Sequence, residues 1–395
     1  MRVVHIQPGG FYDGLTYQEN LLTKWQHRNG HDVTVITTRW SADANGVPCL
    51  VPESMYDRVN EDGVRLIRLP LTCADRYTFG YDELYRTIEA ISPEILFIHG
   101  VDHNTSALTD YLARHREVTA YADNHKDFSN SGSSLPKIIR RIAKLLLKTG
   151  LPGLLTARQP RKLIPCVKKF YGVLPARVDI LKYYYKIPAE KCELLLMGAD
   201  DDLVSEASNP SVRQNIRNQY GISPDDFLVM TGGKIDIPKS QTLLLMETVR
   251  NLNAERGNVR LIVFGPVVPE LKARFDALVD GKIVQHVGYV KGNDSYKYFA
   301  ASDLVVFPGR HSVYWEQVTG LGVPMLCKEW DGTKHVDLGG NVRFLRHDST
   351  KEIQREIERL LDNPGEYGKM KEVARREGMK VFSYRRIARQ SLEEI

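Results

Sequence analysis

Short apolar runs alternate with amphipathic stretches along most of the chain. Near the start, the apolar run RVVHIQP leads into a glycine-rich turn, GGFYDG, then a segment with helical spacing of Leu15, Leu21, Leu22 and Trp25, then the apolar run DVTVIT. The runs VRLIRLP, ILFIHG and VTAYAD continue the alternation with helical stretches such as YDELYRTIEAI. Short strands that alternate with helices predict a parallel sheet.

The same pattern starts again after the middle of the chain. CELLLMGADDDLV ends in an acidic turn, and loops or helices follow the runs DFLVMTGG, VRLIVFGP, KIVQHVGYV, DLVVFPG and PMLCKEW. We predict an α/β protein of two doubly wound, Rossmann-like domains facing each other across a cleft, residues 1–190 and 191–375. A helix over 376–395 is expected to pack back toward the first domain. In such sheets ligands bind at the carboxyl ends of the strands.

Composition narrows the class of protein. The 395 residues are 42% hydrophobic and 26% charged, as in soluble globular proteins. No run of 18 apolar residues occurs, so no membrane-spanning helix is expected, and the start MRVVHIQPGG is interrupted too soon for a signal peptide. Five cysteines without a C-x-x-C pair indicate the reduced thiols of a cytoplasmic protein rather than a disulfide framework or a zinc site, and no metal motif is visible.

One basic segment, residues 128–178, contains no Asp or Glu but eleven Lys or Arg residues. Part of it predicts a helix with apolar residues on one face. The other face, an arc of about 100°, holds basic residues: Lys137, Arg140, Arg141, Lys144 and Lys148. Such a helix can lie on an anionic membrane or meet an anionic acceptor, which we favour, or it can pack into a domain core with its lysines in water. No stacking aromatics are interleaved, so nucleic acid is not an expected partner.

Two segments of the second domain have residues suited to a nucleotide. In TGGKIDIPKS, Lys234 and Lys239 flank a loop before a helix, where two ammonium groups suit a diphosphate; solvated lysines after a tight turn give the same pattern. In GRHSVYWEQVTGLGVPM, Ser312 is a plausible N-cap, so that nearby amides would point out of the helix. Glu316, one turn in, can accept hydrogen bonds from a vicinal diol such as a ribose, or simply stabilise the helix.

The first domain offers a histidine at a strand end. In VTAYADNHKDFSNSG, His125 is preferred over Asp123 and Asp127 as the group that orients an acceptor hydroxyl or takes its proton. A cluster that caps the loop is the alternative.

The order and spacing of these segments resemble those of GT-B glycosyltransferases of the GT4 kind, the group 1 family, over nearly the whole chain. DGLTYQENLLTKWQHRNGHDVTVIT is similar to the family's opening loop, helix and strand, with Gly14 on the second of two glycines and Asp13 in place of the first. LLLMGADDDLV resembles its crossover strand, with Gly198 and Asp200 matching, and GGKIDIPKS its G-R-L-x-x-x-K-G loop. FSYRRIARQSLEEI resembles its closing helix.

The resemblance implies roles for individual residues. Lys234 and Lys239 would neutralise the donor diphosphate as it leaves, and His125 would lie near the reacting centre. Glu316 matches the second glutamate of the family's E-x7-E motif, which binds the ribose. The remaining residues implied in donor binding are Gly14, Gly233, Tyr289, Val290, His311, Ser312 and Val313.

One position departs from the family pattern. Pro308 stands where the first motif glutamate, which contacts the transferred sugar, is expected. The resemblance implies a retaining, metal-independent hexosyltransferase that needs no cofactor. It would move a sugar from a nucleotide diphosphate, with UDP-sugar the expected donor, to a hydroxyl of a glycan or lipid-linked acceptor. The setting would be cell-surface polysaccharide or glycolipid synthesis at the cytoplasmic membrane face. The alternatives are a nucleotide-sugar epimerase of the same fold and a non-catalytic relative that acts as a binding or partner subunit.

Overall fold

The computed structural model describes residues 1–12, 14–42, 48–72, 77–126 and 158–394. The chain divides into two compact units. The first unit comprises Met1–Asp13, Tyr17–Leu196 and Arg385–Ile395, and the second comprises Gly14–Thr16 and Met197–Tyr384. The main division therefore falls after Leu196, and of the predicted terminal helix over 376–395 only the part from Arg385 belongs to the first unit.

A largely parallel sheet forms the first unit. Its strands are β1 (Arg2–Gln7), β2 (Asp32–Thr38), β5 (Asp57–Val59), β6 (Arg65–Leu69), β7 (Ile95–His99), β8 (Thr119–Asn124), β9 (Val167–Gly172) and β10 (Cys192–Leu194), and β3 (Trp40–Ala42) and β4 (Pro48–Leu50) form a separate hairpin. Over the described ranges the order is β10-β9-β8-β7-β1-β2-β6-β5, with β5 antiparallel to β6. The α-helices described here are α1 (Gln18–Arg28), α2 (Tyr81–Ile91), α3 (Thr105–Arg114), α4 (Gln159–Leu163) and α5 (Pro175–Asp179).

The central strands of the first unit are buried because helices cover the sheet. Val4, Ile6, Leu96 and Ile98 have 1% of their surface or less exposed and pack in one core with Leu108 of α3. This explains the near-continuous apolar runs in the sequence, which are typical of parallel strands.

The second unit has its own parallel sheet. Its strands are β11 (Phe227–Gly232), β12 (Val259–Phe264), β13 (Val284–His286), β14 (Leu304–Phe307), β15 (Met325–Lys328) and β16 (Val342–Leu345), in the order β13-β12-β11-β14-β15-β16. The α-helices are α6 (Asp201–Ala207), α7 (Pro210–Gln219), α8 (Thr242–Arg256), α9 (Pro269–Asp276), α10 (Gly292–Ala301), α11 (Tyr314–Leu321), α12 (Thr350–Asp362) and α13 (Pro364–Phe382). The last helix, α14 (Tyr384–Ser391), leads into the terminal segment of the first unit.

Small residues allow α11 to pack tightly in the second unit. A Cβ on Gly320 would lie 2.5 Å from the Cβ of Ala199, and a Cβ on Gly378 of α13 would lie 2.2 Å from the carbonyl oxygen of Thr319. Such distances leave no room for a side chain. The small-residue run after Glu316 therefore fixes where α11 lies, and with it the position of that carboxylate.

The strand orders define where each sheet can bind a ligand. In the first sheet the order reverses between β1 and β7, and in the second between β11 and β14. A crevice forms outside the carboxyl ends of the strands at such a point. The predicted fold class, α/β with two Rossmann-like domains, is confirmed.

The basic segment is described only from residue 158 onward. Its five predicted helix residues, Lys137 to Lys148, lie outside the described residues. Within the described part, Lys168 pairs with Glu393 and Lys169 pairs with both Glu193 and Glu393. Acids from elsewhere in the chain therefore neutralise part of this segment. No helix among the described residues is long and apolar enough to cross a membrane.

Candidate functional site

The loop after β11 approaches its neighbours closely because it is rich in glycine. A Cβ on Gly232 would lie 2.2 Å from the ring of Phe264, and Gly233 has φ of +108°, which favours glycine. A Cβ on Gly265, which follows β12, would lie 2.1 Å from the carbonyl oxygen of Gly233. The loops that follow β11 and β12 therefore pack directly against each other. The turn at Gly233 fixes where the loop that carries Lys234 and Lys239 begins.

A pocket lies at the carboxyl ends of β11 and β14, at the reversal point of the second sheet. Three basic residues line it, Lys234, Lys239 and Arg310, and we call it the cation pocket. Its other lining residues are Thr231, Gly232, Gly233, Ile235, Thr242, Val263, Phe307, Pro308, Gly309 and Ser312. The lining itself includes no carboxylate.

Lys239 is the least exposed of the three basic residues. It ends a short 3₁₀ turn, Ile237–Lys239, and its Cα would lie 3.0 Å from a Cβ placed on Gly309. Burial lowers the pKa of Lys239, and the nearby charges of Arg310 and Lys234 lower it further against the opposing effect of Asp236. Cations that disfavour one another in this way are stabilised by a bound polyanion such as a diphosphate.

Glu316 lies in the first turn of α11 and is completely buried. Its Oε1 accepts hydrogen bonds from Nε2 of His311 over 2.9 Å and from Nε2 of His335 over 2.7 Å. Burial alone raises the pKa of Glu316, but the two histidines outweigh it and lower the pKa to about 2. The carboxylate is therefore ionised at neutral pH.

The second oxygen of Glu316 has a different environment. Oε2 is buried, and none of the described side chains or backbone groups donates to it. An ionised oxygen without a donor is costly to bury, so a ligand hydroxyl that reached it would gain a strong hydrogen bond. Glu316 is therefore a first-turn acid, and its Oε2 has no donor among the described residues.

The start of α11 differs from the prediction. Val313, not Ser312, is the N-cap residue, and no side chain caps the helix. Ser312 Oγ lies 3.5 Å from the amide of Tyr314, whereas the Ser312 carbonyl accepts from Trp315 over 2.9 Å. The helix thus begins at Tyr314, one residue later than an N-cap at Ser312 predicts.

The other predicted donor residues lie at separate places in the second unit. Tyr289 follows β13 and is 51% exposed, whereas its neighbour Val290 is buried. Gly14 has φ of +75° and belongs to a short segment of this unit in which Thr16 accepts two hydrogen bonds from Gln317, each of 3.0 Å. None of these residues lines the cation pocket.

In the first unit, His125 lies just beyond β8 with 37% of its side chain exposed. Its Nε2 is 3.2 Å from Oδ2 of Asp123, and the same oxygen accepts from Nδ1 of His99 over 2.7 Å. Burial lowers the pKa of His125, but Asp123 outweighs it and the net direction is upward. The cluster lies at the carboxyl ends of β7 and β8, next to the reversal point between β7 and β1. Asp127 lies outside the described residues.

Among the residues that the structure describes, two groups of side chains have the composition of metal ligands. They are His99, Asp123 and His125 in the first unit and His311, Glu316 and His335 in the second. Within each group the ligand atoms lie within 4.8 Å of one another. In both, the histidine nitrogens that face the carboxylate lie within hydrogen-bonding reach of it, so ring protons can satisfy these contacts without a metal.

Sequence reasoning missed four residues of these sites. Arg310 lies in the loop after β14, separated from the strand by Pro308 and Gly309, and its position shortly after an apolar strand was a usable signal. His99 and its hydrogen-bond partner His5 are polar residues inside otherwise apolar strands, and such a position also signals a buried polar contact. His335 lies 19 positions from Glu316 in a loop, and no local pattern predicts their contact.

Part of the sequence and the whole fold are similar to those of known proteins. Residues 243–393 match the family described as Glycosyl transferase-like. No curated protein matches the sequence significantly. Among solved structures, Alr3699/HepE of Anabaena in complex with UDP has a TM-score of 0.70 at 14% identity, covering 100% of this chain and 99% of that one.

Two further structures show the same fold. WaaG, a glycosyltransferase involved in lipopolysaccharide biosynthesis, has a TM-score of 0.66 at 16% identity, covering 98% of this chain and 99% of that one. UDP-GlcNAc 2-epimerase from Neisseria meningitidis bound to UDP-GlcNAc has a TM-score of 0.58 at 12% identity, covering 100% and 99%. At these identities the likeness is one of fold.

The two Rossmann-like units have the GT-B fold of these neighbours, and the cation pocket lies in the second unit. The part of the chain that matches the Glycosyl transferase-like family, residues 243–393, lies within the second unit and the terminal segment of the first.

Proposed function

We propose that the protein transfers a sugar from a UDP-sugar to a hydroxyl group of a glycan or lipid-linked acceptor, with retention of anomeric configuration and without a metal ion. The cation pocket carries this proposal. Three basic residues converge at the reversal point of the sheet, and no acid lines the pocket. A diphosphate group has the charge that suits such a place.

The chemistry rests on the leaving group. As the bond between the sugar and the diphosphate breaks, negative charge grows on the diphosphate oxygens. Lys234, Lys239 and Arg310 would stabilise that charge in place of a metal ion. Glu316, held by two histidines, would accept a ribose hydroxyl at Oε2. His125 would orient the acceptor hydroxyl or take its proton.

The proposal also covers the acceptor and the location of the enzyme, and both rest on the basic segment. The basic segment at 128–178 suits an anionic membrane face or an anionic acceptor, and this favours a peripheral enzyme of cell-surface polysaccharide or glycolipid synthesis on the cytoplasmic side. HepE in complex with UDP and WaaG, which is involved in lipopolysaccharide biosynthesis, are structural neighbours consistent with this setting.

Pro308 bears on the nature of the donor. It lines the cation pocket where an acid would contact the transferred sugar in the resembled family. Without that acid, the residues of the pocket support the binding of a nucleotide, but they do not indicate which sugar is transferred. The same absence argues against epimerisation within the pocket, since an epimerase needs acid and base groups at the sugar.

The decisive experiment measures UDP binding and UDP release with a panel of UDP-sugars, in the presence of native lipid extract. Wild type is compared with Lys239→Ala and with Lys351→Ala, an exposed lysine on α12 that serves as the matched control. Donor-dependent UDP release that Lys239→Ala abolishes and Lys351→Ala preserves supports the proposal. UDP binding without release under every donor favours a binding subunit. Conversion of the donor to an isomeric UDP-sugar favours an epimerase, and absence of nucleotide binding contradicts all three functions.

A further inference from the structure

A continuous chain of buried polar side chains crosses the first unit. It runs from Ser391 on α14 through Gln26 on α1, His5 on β1 and His99 on β7 to Asp123 on β8. The first three and Asp123 are fully buried, and His99 is 5% exposed. Such residues are costly to bury unless every donor meets an acceptor, so the direction of each hydrogen bond can be derived.

The direction is set at Ser391. Its hydroxyl donates its single proton to the carbonyl oxygen of Ala388 over 2.6 Å, so toward Gln26 it can only accept. Gln26 therefore donates from Nε2 to Ser391 over 2.9 Å, which fixes the orientation of the amide and turns Oε1 toward His5. That oxygen only accepts, and it lies 2.6 Å from Nε2 of His5. His5 must carry its proton on Nε2.

The same reasoning extends across the histidines. Burial is the largest cause that lowers the pKa of His5, to about 3, against the opposing effects of Gln26 and Asp123, so His5 is neutral and has one ring proton. Since that proton is on Nε2, its Nδ1 accepts from Nε2 of His99 over 2.9 Å. On its other side, Nδ1 of His99 lies 2.7 Å from the Asp123 carboxylate, which only accepts. His99 thus donates from both nitrogens.

We propose that His99 is a buried imidazolium ion, kept protonated by the chain from Ser391, and that it is a positioning residue for Asp123 and His125. Its charge compensates Asp123, whose Oδ1 also accepts from the amide of Gly100 over 3.1 Å. Asp123 therefore stays ionised with Oδ2 toward Nε2 of His125, and Nδ1 of His125 is left to accept a proton. This use of His125 rests on the proposed function, whereas the charge of His99 does not.

The test is the ring protonation of His99 in the full-length protein. Histidine labelled with ¹⁵N is observed by long-range proton–nitrogen NMR at about pH 8, above the value of about 6.5 at which a free histidine titrates. The His99 signals are assigned by their loss in His99→Gln. Two protonated nitrogens on His99 and a single Nε2 proton on His5 are expected. One unprotonated nitrogen on His99 overturns the proposal.

Two variants test the origin of this state. Ser391→Ala removes the acceptor and frees the Gln26 amide to turn its NH₂ toward His5, so His99 is expected to lose one ring proton. Ser391→Thr keeps the hydroxyl and is expected to keep both protons. An unchanged His99 spectrum in Ser391→Ala would show that the chain does not set its charge. Circular dichroism checks folding, and the wild-type spectrum decides the charge if Ser391→Ala unfolds.

Activity provides a second, separate readout. We expect sugar transfer to fall in Ser391→Ala at unchanged UDP affinity, because Ser391 lies in the first unit, and to recover in Ser391→Thr. A rate unchanged by Ser391→Ala would overturn the positioning role. If wild type lacks transferase activity altogether, the proposed function fails while the NMR result on His99 still stands.

Discussion

Nε2 of His335 donates to Oε1 of Glu316 over 2.7 Å, although the two residues lie in different elements, α11 and a 3₁₀ turn at Lys334–Val336. His311 donates to the same oxygen from the loop before α11. Together they keep a fully buried carboxylate ionised.

This cluster predicts a pH dependence of stability. The pKa of Glu316 is lowered from 4.5 to about 2, so its contribution to stability is fully present above pH 4.5 and is lost as the pH falls toward 2. The stability advantage of wild type over Glu316→Gln should therefore shrink below pH 4.5, by up to about 1.4 kcal/mol per pH unit. Thermal melts of both proteins between about pH 3 and pH 7 measure this difference. A difference that stays constant with pH would contradict the ionised, histidine-bound state.

The cation pocket predicts which lysine matters for the nucleotide. Replacing Lys239 with alanine removes a charge-assisted hydrogen bond worth about 1.5–3 kcal/mol, so affinity for UDP should fall about 10- to 100-fold. Arg310→Ala should act in the same direction. Isothermal titration calorimetry with UDP measures both, and Lys351→Ala should bind as wild type does. Equal UDP affinities of Lys239→Ala and Lys351→Ala would show that the diphosphate does not bind in the cation pocket.

The packing of Gly265 against Gly233 predicts an effect at a distance. Gly265→Ala should destabilise the second unit and weaken UDP binding, because its Cβ would displace the Gly233 carbonyl and so the turn before Lys234. Gly281→Ala is the matched control: it also has positive φ, +71°, but a Cβ there meets nothing within 4 Å. It should cost about 1–2 kcal/mol in stability and leave UDP affinity unchanged. Similar UDP affinities in the two variants would contradict the contact.

The basic segment predicts binding to anionic lipid. Changing Lys137, Arg140, Arg141, Lys144 and Lys148 to glutamine should abolish sedimentation with anionic vesicles at low salt, because each basic residue near the surface contributes about 1 kcal/mol. A control variant changes five exposed basic residues of the second unit to glutamine: Lys272, Arg274, Lys282, Lys351 and Lys369. Vesicle binding that survives the first set of changes, or is lost equally in the control, would rule out this segment as the membrane contact.

The sequence by itself predicted the α/β class, the two parallel sheets and the order of the motifs, because buried parallel strands read as apolar runs whatever lies next to them in space. It also placed Lys234, Lys239 and Gly233 in one loop. This was possible because the three residues are close together in the sequence, and because a loop that follows a parallel strand lies at the carboxyl edge of the sheet.

Only the tertiary structure decided which residues meet. Arg310 joins the two lysines because β11 and β14 are neighbours in the sheet, although 70 residues or more separate them in the chain. His335 reaches Glu316, and Ser391 reaches Gln26 from 365 positions away, through packing that no local pattern encodes. The charge state of Glu316 depends on its long-range contact with His335, on His311 and on burial, so it follows from the fold and not from the identity of the residue alone.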